Sequence, residues 1–192
     1  MQLNPVQSKR GFSLIELMVS VALFSVVMII SIGALLALAD ANRKAQALQS
    51  VMNNLNTAID GMVRSVRMGS KYHCGNVGTY ETARSCPNGD TLIAFENFYG
   101  DPNVATDQWV YWYDSTAKRM YKSQNSGTTQ FALTAAEVQI DEAKFFVVGA
   151  ENTNVVQPKV VIVLRGTAGA GNNKTKTSFS VQSTAVQRAI DI

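Results

Sequence analysis

Residues 9–16 are Lys-Arg-Gly-Phe-Ser-Leu-Ile-Glu, and a run of 23 uncharged residues follows them at positions 17–39. As an α-helix that run would be about 34 Å long, because each helical residue adds about 1.5 Å. The hydrocarbon core of a bilayer is about 30 Å thick, so the run predicts a membrane-spanning helix. An ordinary membrane anchor needs no carboxylate at the start of its apolar helix. Glu16 therefore requires a further explanation.

This pattern of basic residues, glycine, aromatic residue and carboxylate closely resembles the prepilin leader that type IV pilins share with the pseudopilins of type II secretion. The resemblance covers roughly residues 8–40. It implies that a prepilin peptidase cuts between Gly11 and Phe12 on the cytoplasmic side and then methylates the new amino terminus of Phe12. It also implies an assembly role for Glu16, whose carboxylate would neutralise the terminal ammonium group of the next subunit. A carboxylate one turn from a helix amino terminus also lies in a favourable dipole field.

Two other targeting segments fit part of the pattern. A secretory signal peptide has an apolar core of about 7 to 15 residues. The present run is longer, although the Ala-Leu-Ala sequence at residues 37–39 imitates a signal-peptidase site. A plain signal anchor fits the length but leaves Glu16 and the junction of Gly11 with Phe12 unexplained.

The charges beside the apolar run leave its orientation almost undecided. Two basic residues precede the run, and Arg43 and Lys44 follow it, so the positive-inside count is close to a tie. The leader resemblance predicts a cytoplasmic amino terminus. We therefore expect a single-pass protein of the inner membrane, with its globular part outside the cytoplasm.

Apolar residues continue beyond residue 39 at steps of three and four, as on one face of a helix. They are Ala41, Ala45, Leu48, Val51 or Met52, Leu55, Ile59, Met62 or Val63, and Val66. The pattern predicts an amphipathic stem that continues the membrane helix to Met68 and stops at Gly69 and Ser70. From Phe12 this helix would be about 85 Å long. We expect the stripe to pack on a sheet of its own chain; a two-helix coiled coil is the alternative.

Ser25 and Gly33 interrupt the apolar run. In the resembling family a glycine often stands at the first position and a helix-breaking proline at the second. Proline costs about 3 kcal/mol in a helix interior and glycine only about 1 kcal/mol. The exchange weakens, without removing, the expectation that this segment loses helicity in a filament. Close approach of a neighbouring helix is the other explanation of Gly33.

The residues after Ser70 have the composition of strands and turns. The predicted strands are residues 91–98, 109–114, 119–123, 138–149, 159–165 and 177–187. The second and third flank a turn at residues 114–117 and predict a hairpin. Residues 160–164 are apolar throughout and predict a central strand, whereas residues 179–185 alternate as a half-buried antiparallel strand does. Residues 166–176 predict a loop rich in glycine and asparagine.

One amphipathic helix followed by antiparallel strands predicts an α+β fold, with the long amino-terminal helix packed against an antiparallel sheet. This is also the pilin architecture. Residues 133–134, 138–149, 158–166 and 179–188 further resemble the carboxy-terminal sheet of minor pilins and J-type pseudopilins. The predicted parts are a leader (1–11), a transmembrane or filament-core helix (12–39), an amphipathic stem (40–68) and an extracytoplasmic head (69–192).

Cys74 and Cys86 are the only cysteines, and both fall on the predicted outer side of the membrane. Twelve positions apart in an oxidising compartment, in a glycine-containing loop, they predict a disulfide. Two unpaired thiols are an alternative. A metal site with His73, the only histidine, is another, but it lacks a fourth ligand. We expect no metal and no cofactor.

Other site patterns are weak. A histidine-dependent triad would have to use His73, and no G-x-S-x-G motif occurs, so we expect no enzyme activity. A calcium loop at Asp101, Asn103 and Asp107 breaks the EF-hand pattern, which favours an ordinary polar turn. A basic and aromatic patch could form from five cations and one tyrosine; these are Lys118, Arg119, Lys122, Lys174, Lys176 and Tyr121.

Net charge does not support nucleic-acid binding by the globular part. The formal charge is +3, and residues 1–68 carry all of it, with six basic and three acidic groups. Residues 69–192 hold eleven of each sign. Nucleic acid therefore stays an unfavoured partner, and the basic residues named above are equally well explained as solvated charges.

The resulting hypothesis is a structural subunit, of minor rank, of a type IV pilus or pseudopilus. Its implied partners are the prepilin peptidase, other pilin or pseudopilin subunits, the filament assembly platform and membrane lipid. The alternative is a membrane-tethered extracytoplasmic binding domain or enzyme that never assembles. Cleavage after Gly11 separates the two, because a mere tether has no use for it.

Overall fold

The structure, a computed structural model, describes residues 11–101, 103–151, 156–168 and 176–188. Residues 1–10 of the predicted leader, and residues 169–175 of the predicted glycine-rich loop, lie outside this part of the chain. The chain divides into two compact units between Arg43 and Lys44. The first unit holds the uncharged apolar run, and the second holds the stem from Lys44 onward and all the described strands.

Helix α1 (Leu14–Met68) supplies the helical residues of both units. It is helical without interruption at Ser25 and at Gly33. The hydroxyl groups of Ser20, Ser25 and Ser31 each donate to the carbonyl oxygen four residues earlier, over 2.7 to 2.8 Å. These polar groups are thus satisfied inside the helix, so they can lie within an apolar surface at little cost.

Nine strands follow α1 in the described part of the chain. They are β1 (Ser70–Cys74), β2 (Cys86–Asp90), β3 (Leu92–Glu96), β4 (Trp109–Asp114), β5 (Arg119–Ser123), β6 (Phe131–Ala132), β7 (Val138–Val148), β8 (Lys159–Ala168) and β9 (Thr177–Val186). All six predicted strands are present, and the helix ends at the predicted position. Strands β1, β2 and β6 were not predicted. The first has no apolar run, the second contains Pro87 and Gly89, and the third has two residues.

The strands form two antiparallel sheets rather than one. The five-stranded sheet has the order β1-β3-β4-β5-β6, and the four-stranded sheet has the order β2-β7-β8-β9. The hydroxyl of Tyr113 in the first sheet donates to the carbonyl oxygen of Ile140 in the second over 2.8 Å. The α+β, pilin-like architecture is therefore confirmed, with the strands divided between two sheets. A local apolar pattern identifies a strand but not the strand that pairs with it.

The position of β8, the exposure pattern of β9 and the β4–β5 turn all agree with the sequence predictions. Strand β8 lies between β7 and β9, as the continuously apolar residues 160–164 predict. Alternate residues of β9 are exposed. In the β4–β5 hairpin the carboxylate of Asp114 accepts hydrogen bonds from the backbone of Thr116 and Ala117, over 2.8 and 3.0 Å. This aspartate satisfies the turn amides and so fixes the predicted hairpin.

The apolar stripe of the stem forms one core with residues of both sheets. Its buried residues are Val51, Leu55, Ala58, Ile59, Met62 and Val66. The predicted packing on the chain's own strands is therefore confirmed for this part of the stripe. Ala41 and Ala45 are instead exposed, and Leu48 is only partly buried. Periodicity defines one face of a helix but not the point at which the head begins to cover it.

Candidate processing and assembly site

The predicted cleavage junction lies just outside α1. Gly11 and Phe12 have no regular secondary structure, and Phe12 is 82% exposed. A Cβ built on Gly11 would have no described atom within 4 Å. A protease could therefore reach this peptide bond without unwinding the helix.

Ser13 fixes the first residue of the helix, a role that was not predicted from the sequence. Its hydroxyl accepts a hydrogen bond from the backbone N–H of Glu16 over 3.3 Å, and its carbonyl accepts one from Leu17 over 3.2 Å. A side chain that accepts an N–H in the first turn is an N-cap. The signal was present, because Ser-x-x-Glu is the capping-box pattern. The cap leaves Phe12 outside the helix and places Glu16 within its first turn.

Glu16 is exposed and makes no ion pair within the described residues. It lies at the positive end of the helix dipole, which favours a negative charge there. Phe12, whose nitrogen becomes the amino terminus if the predicted cut occurs, lies four residues before it. One cationic group and one anionic group would then be separated by about one helical turn on the same chain.

The apolar surface of the first unit has no partner in the described structure. Residues 11–46 are exposed, and they include Leu23, Phe24 and Ile30 at 62 to 67% exposure. By length and composition α1 is apolar enough to cross a membrane, with a mean hydropathy of 2.7 in its most apolar window. This surface contrasts with the stem from Val51 onward, whose apolar stripe is covered by the chain's own strands.

Comparison with known families places residues 7–32 in one family model. The chain carries a prokaryotic N-terminal methylation motif. The motif includes Gly11, Phe12 and Glu16, and it is consistent with the type IV pilin and pseudopilin family. Comparisons of the chain with curated proteins and with solved structures give no match. The methylation motif and the apolar helix together support a type IV pilin-like subunit.

Cys74 and Cys86 form a disulfide, as predicted. Cys74 ends β1, at the edge of the five-stranded sheet, and Cys86 begins β2, at the edge of the four-stranded sheet. The bond therefore joins the two sheets, which the sequence could not show because it placed both cysteines in a loop. With both sulfur atoms bonded to each other, neither can act as a thiolate ligand.

His73 lies beside the disulfide but is oriented by other contacts. The residue is buried, and its Nδ1 lies 2.7 Å from the carbonyl oxygen of Thr82, to which it must donate. Its ring packs edge-on against Tyr80, with 5.7 Å between ring centroids. These contacts explain His73 as a packed core side chain.

The predicted polar turn at Asp101, Asn103 and Asp107 is held by its own side chains. One carboxylate oxygen of Asp101 accepts hydrogen bonds from the backbone and side chain of Asn103, over 3.0 and 3.1 Å. The Asp107 carboxylate accepts the backbone N–H of Asp101 over 2.8 Å. Within the described residues, no three His, Cys, Asp or Glu side chains are grouped tightly enough to hold a metal ion.

The basic residues of the hairpin each have a separate local partner. Lys118 lies 3.5 Å from Asp141, and Arg119 donates to the carbonyl oxygen of Thr134. Lys122 lies over the ring of Trp109, 4.3 Å from its centroid. Lys174 is outside the described residues. The hairpin charges are thus explained by local contacts.

A different basic and aromatic surface, which the sequence did not predict, lies between the stem and the head. A cleft of about 750 Å³ is lined by Arg64 and Arg67 of the stem, by Arg188 after β9, and by Phe98 and Tyr99 after β3. Among the described ion pairs, none involves these three arginines. Such a cleft could bind an anionic or aromatic group of a partner. Its residues are distant in the chain, so no local pattern indicated it.

Proposed function

We propose that this chain is a structural subunit, of minor rank, of a type IV pilus or pseudopilus. The observation that carries the proposal is the contrast between the two parts of α1. The part beside the methylation motif exposes its entire apolar surface, whereas the stem from Val51 onward buries its apolar stripe in the head. An exposed apolar helix requires a covering of lipid or of other helices. In a pilin subunit, lipid covers this helix before assembly and other helices cover it in the filament.

In this proposal the parts of the chain act in sequence. Residues 1–11 direct processing, and residues 12–39 hold the subunit in the inner membrane and later pack in the filament core. Residues 40–68 connect that helix to the extracytoplasmic head at residues 69–192. The prepilin peptidase cuts between Gly11 and Phe12 and methylates Phe12. The assembly platform then moves the subunit from lipid into contact with sibling subunits.

Glu16 has a specific task during that transfer. Near the membrane interface its carboxylate can contact water, but in a filament core it would be enclosed by helices. An unpaired buried charge is costly, and a buried charge with a close opposite partner is tolerated. The amine of Phe12 on a neighbouring subunit is the natural partner. Pairing would then favour one axial position of each new subunit over the others.

The minor rank rests on the resemblance of the carboxy-terminal segments to minor pilins and J-type pseudopilins. Those segments contribute β7, β8 and β9, which are neighbours in the four-stranded sheet. A membrane-tethered binding domain or enzyme is the alternative function. The cleft lined by Arg64 and Arg188 would suit such a domain, but a tether makes no use of a methylation motif.

Mass analysis of the wild-type chain from its native host tests the proposal. We expect the chain to begin at an N-methylated Phe12 and to be recovered with sheared filaments as well as with membranes. A chain that retains Met1, or that is found only in membranes under conditions where filaments form, would support the tethered domain instead. Release of the head after cleavage within residues 37–39 would indicate a secretory signal.

A further inference from the structure

Three arginines line the cleft at the carboxy-terminal end of the stem. Arg64 and Arg67 come from the last two turns of α1, and Arg188 follows β9. All three are exposed, and none forms an ion pair within the described part of the chain. Among the described residues that line the cleft, Asp60 is the one acidic residue. The cleft therefore has an excess of positive charge, although residues 69–192 as a whole are neutral.

The guanidinium groups are not needed to complete the end of the helix. The Tyr72 hydroxyl lies 2.7 Å from the carbonyl oxygen of Val66 and 2.8 Å from that of Gly69. The backbone N–H of Arg188 donates to the carbonyl oxygen of Arg67 over 2.8 Å. A tyrosine and a backbone amide thus satisfy these carbonyls, which leaves the arginine side chains free to bind a ligand.

Aromatic and apolar side chains lie beside these charges. Phe98 is 59% exposed and Tyr99 is 89% exposed, and their rings pack edge to face with 5.2 Å between the centroids. Trp109 lines the same cleft, and the stem adds Val63 and Met68. Aromatic residues and arginine are enriched at protein–protein interfaces relative to the rest of the surface. The composition of the cleft therefore favours a protein ligand.

We propose that this cleft binds a short acidic peptide segment of a partner protein, in which carboxylates alternate with apolar or aromatic side chains. Guanidinium groups bind carboxylates through paired, charge-assisted hydrogen bonds. The rings of Phe98 and Tyr99 would cover the apolar side chains between those carboxylates. The volume of about 750 Å³ lies within the range of about 300 to 1,000 Å³ that is usual for ligand sites. The cleft can thus hold a few side chains but not a folded domain.

Nucleic acid fits the same cleft less well. Its binding depends on a series of cations that neutralise successive phosphates. Here Asp60 lies one helical turn before Arg64, so a negative charge limits the basic surface on that side. The equal numbers of acidic and basic groups in residues 69–192 do not extend it elsewhere. Single-stranded DNA therefore provides the competing ligand in the test.

Titration calorimetry with the full-length chain in an uncharged detergent tests the cleft. The probe is the peptide Glu-Phe-Asp-Leu-Glu, blocked at both ends, and its control is Gln-Phe-Asn-Leu-Gln, which has the same shape without the charges. We expect the acidic peptide to bind at least about tenfold more tightly, because its hydrogen bonds to arginine are charge-assisted. Equal affinity of the two peptides, or no binding of the acidic peptide at about 1 mM, would overturn the proposal.

Tryptophan fluorescence locates the bound peptide, since neither peptide contains tryptophan. Trp109 lines the cleft, so its emission should change when the acidic peptide binds. The change should persist in Trp112→Phe, which removes the only other tryptophan. A signal that is lost in Trp112→Phe would place the peptide on the other side of the sheet and contradict the assigned site.

Three substitutions with a matched control test the charges. Arg64→Gln and Arg188→Gln should each weaken binding of the acidic peptide by about tenfold, and both keep the backbone contacts at the helix end. Asp60→Asn should strengthen binding, because it removes a like charge. Arg165→Gln is the control, since Arg165 is an exposed arginine on β8 that lies 3.3 Å from Glu142, and it should bind as the wild type does. Unchanged binding in both cleft variants would show that these arginines are only solvated charges.

The same titration with an oligothymidylate separates the two kinds of polyanion. We expect the acidic peptide to bind more tightly than this DNA at physiological salt. Tighter binding of the DNA, lost in Arg64→Gln and Arg188→Gln, would assign the cleft to nucleic acid and overturn the peptide proposal. The cleft belongs entirely to the second unit, so these measurements do not depend on cleavage after Gly11 or on filament assembly.

Discussion

The hydroxyl of Tyr72 donates a hydrogen bond to the carbonyl oxygen of Val66 over 2.7 Å, and it lies 2.8 Å from the carbonyl oxygen of Gly69. The last carbonyls of a helix have no partner within the helix. Tyr72 therefore closes the carboxy-terminal end of α1 from the first strand. The backbone N–H of Arg188, just after β9, donates to the carbonyl of Arg67 over 2.8 Å. The first and last strands thus both fix the end of the stem.

Replacement of this hydroxyl should destabilise the head. Tyr72→Phe keeps the ring but removes the hydroxyl that lies within hydrogen-bond distance of the Val66 and Gly69 carbonyl oxygens, and it should lower the free energy of unfolding by about 1 to 2 kcal/mol. Denaturant unfolding followed by tryptophan fluorescence measures this change. Tyr99→Phe is the matched control, since Tyr99 is 89% exposed and should change little. Equal stability of the two variants would show that the Tyr72 hydroxyl contributes nothing.

The disulfide should be a major source of head stability because it joins the two sheets. Cys74→Ala combined with Cys86→Ala should lower the free energy of unfolding by about 3 kcal/mol, on loop-closure reasoning for a twelve-residue separation. Wild-type protein unfolded with a reductant should lose a similar amount. Non-reducing peptide mapping should find one linked pair. Alkylation of both cysteines in protein never exposed to a reductant would contradict the bond.

The sequence was informative where a pattern is local. Periodicity predicted α1 and its end at Met68, alternation predicted β9, and turn residues predicted the hairpin at Asp114. The sequence did not predict a strand whose formation depends on pairing with a strand that is distant in the chain. Strand β2 contains Pro87 and Gly89 and has the composition of a turn, yet it pairs with β7 in the four-stranded sheet.

The candidate sites divide in the same way: a local pattern marks some of them, and only the fold assembles the others. Gly11, Phe12 and Glu16 lie within eight residues of one another and could be predicted together. The sequence around Glu96 gives no comparable signal, because the burial of this carboxylate depends on residues that only the fold brings around it. The arginines of the cleft come from α1 and from the end of β9, so only the fold brings them together.

Acid should destabilise the head partly through Glu151. Its carboxylate accepts hydrogen bonds from the Ser85 hydroxyl over 2.6 Å and from the Ser85 backbone over 2.7 Å, and these bonds lower the pKa of Glu151. A lowered pKa in the folded state means that the unfolded chain binds the proton first. The stabilisation is therefore complete above the ordinary value of 4.5 and is lost as pH falls below it.

Thermal unfolding of wild type and Ser85→Ala between about pH 6 and about pH 3 measures this contribution. The variant removes the hydroxyl donor, so its Tm should fall less steeply with acid than that of the wild type. Glu96 has a raised pKa and an effect of opposite sign, but it is present in both proteins and cancels in the comparison. Parallel curves would show that Ser85 does not stabilise the ionised form of Glu151.

Processing should depend on the absence of a side chain at residue 11. Gly11→Val should leave uncut precursor in the membrane, because a Cβ would crowd the peptidase at the scissile bond. The chain itself has room there, so misfolding would not explain the defect. Gly33→Ala is the control, since Gly33 is equally open and lies within the helix. Mass analysis should show cleavage of the control and at least a tenfold loss in Gly11→Val; normal cleavage of both would contradict the assigned junction.

Glu16 should act in assembly and contribute little to folding. It belongs to the first unit, whereas the disulfide and both sheets belong to the second. Glu16→Ala should therefore be cleaved, inserted in the membrane and folded, with its disulfide formed. In the filament it would leave the Phe12 amine of a neighbour without a counter-charge. Breaking a buried pair costs about 3 to 5 kcal/mol, so incorporation should fall by at least a hundredfold if subunit exchange is at equilibrium.

Immunoblots of sheared filaments and of membranes measure the distribution of the variant between the two. Asp40→Ala is the matched control, because Asp40 is also an exposed carboxylate on α1 but follows the apolar run instead of preceding it. We expect that control to be incorporated nearly as well as the wild type. Loss of both variants from filaments would indicate a general need for negative charge on the helix. Equal incorporation of Glu16→Ala and wild type would show that the carboxylate does not pair with a neighbouring amine, even if cleavage and methylation at Phe12 proceed normally.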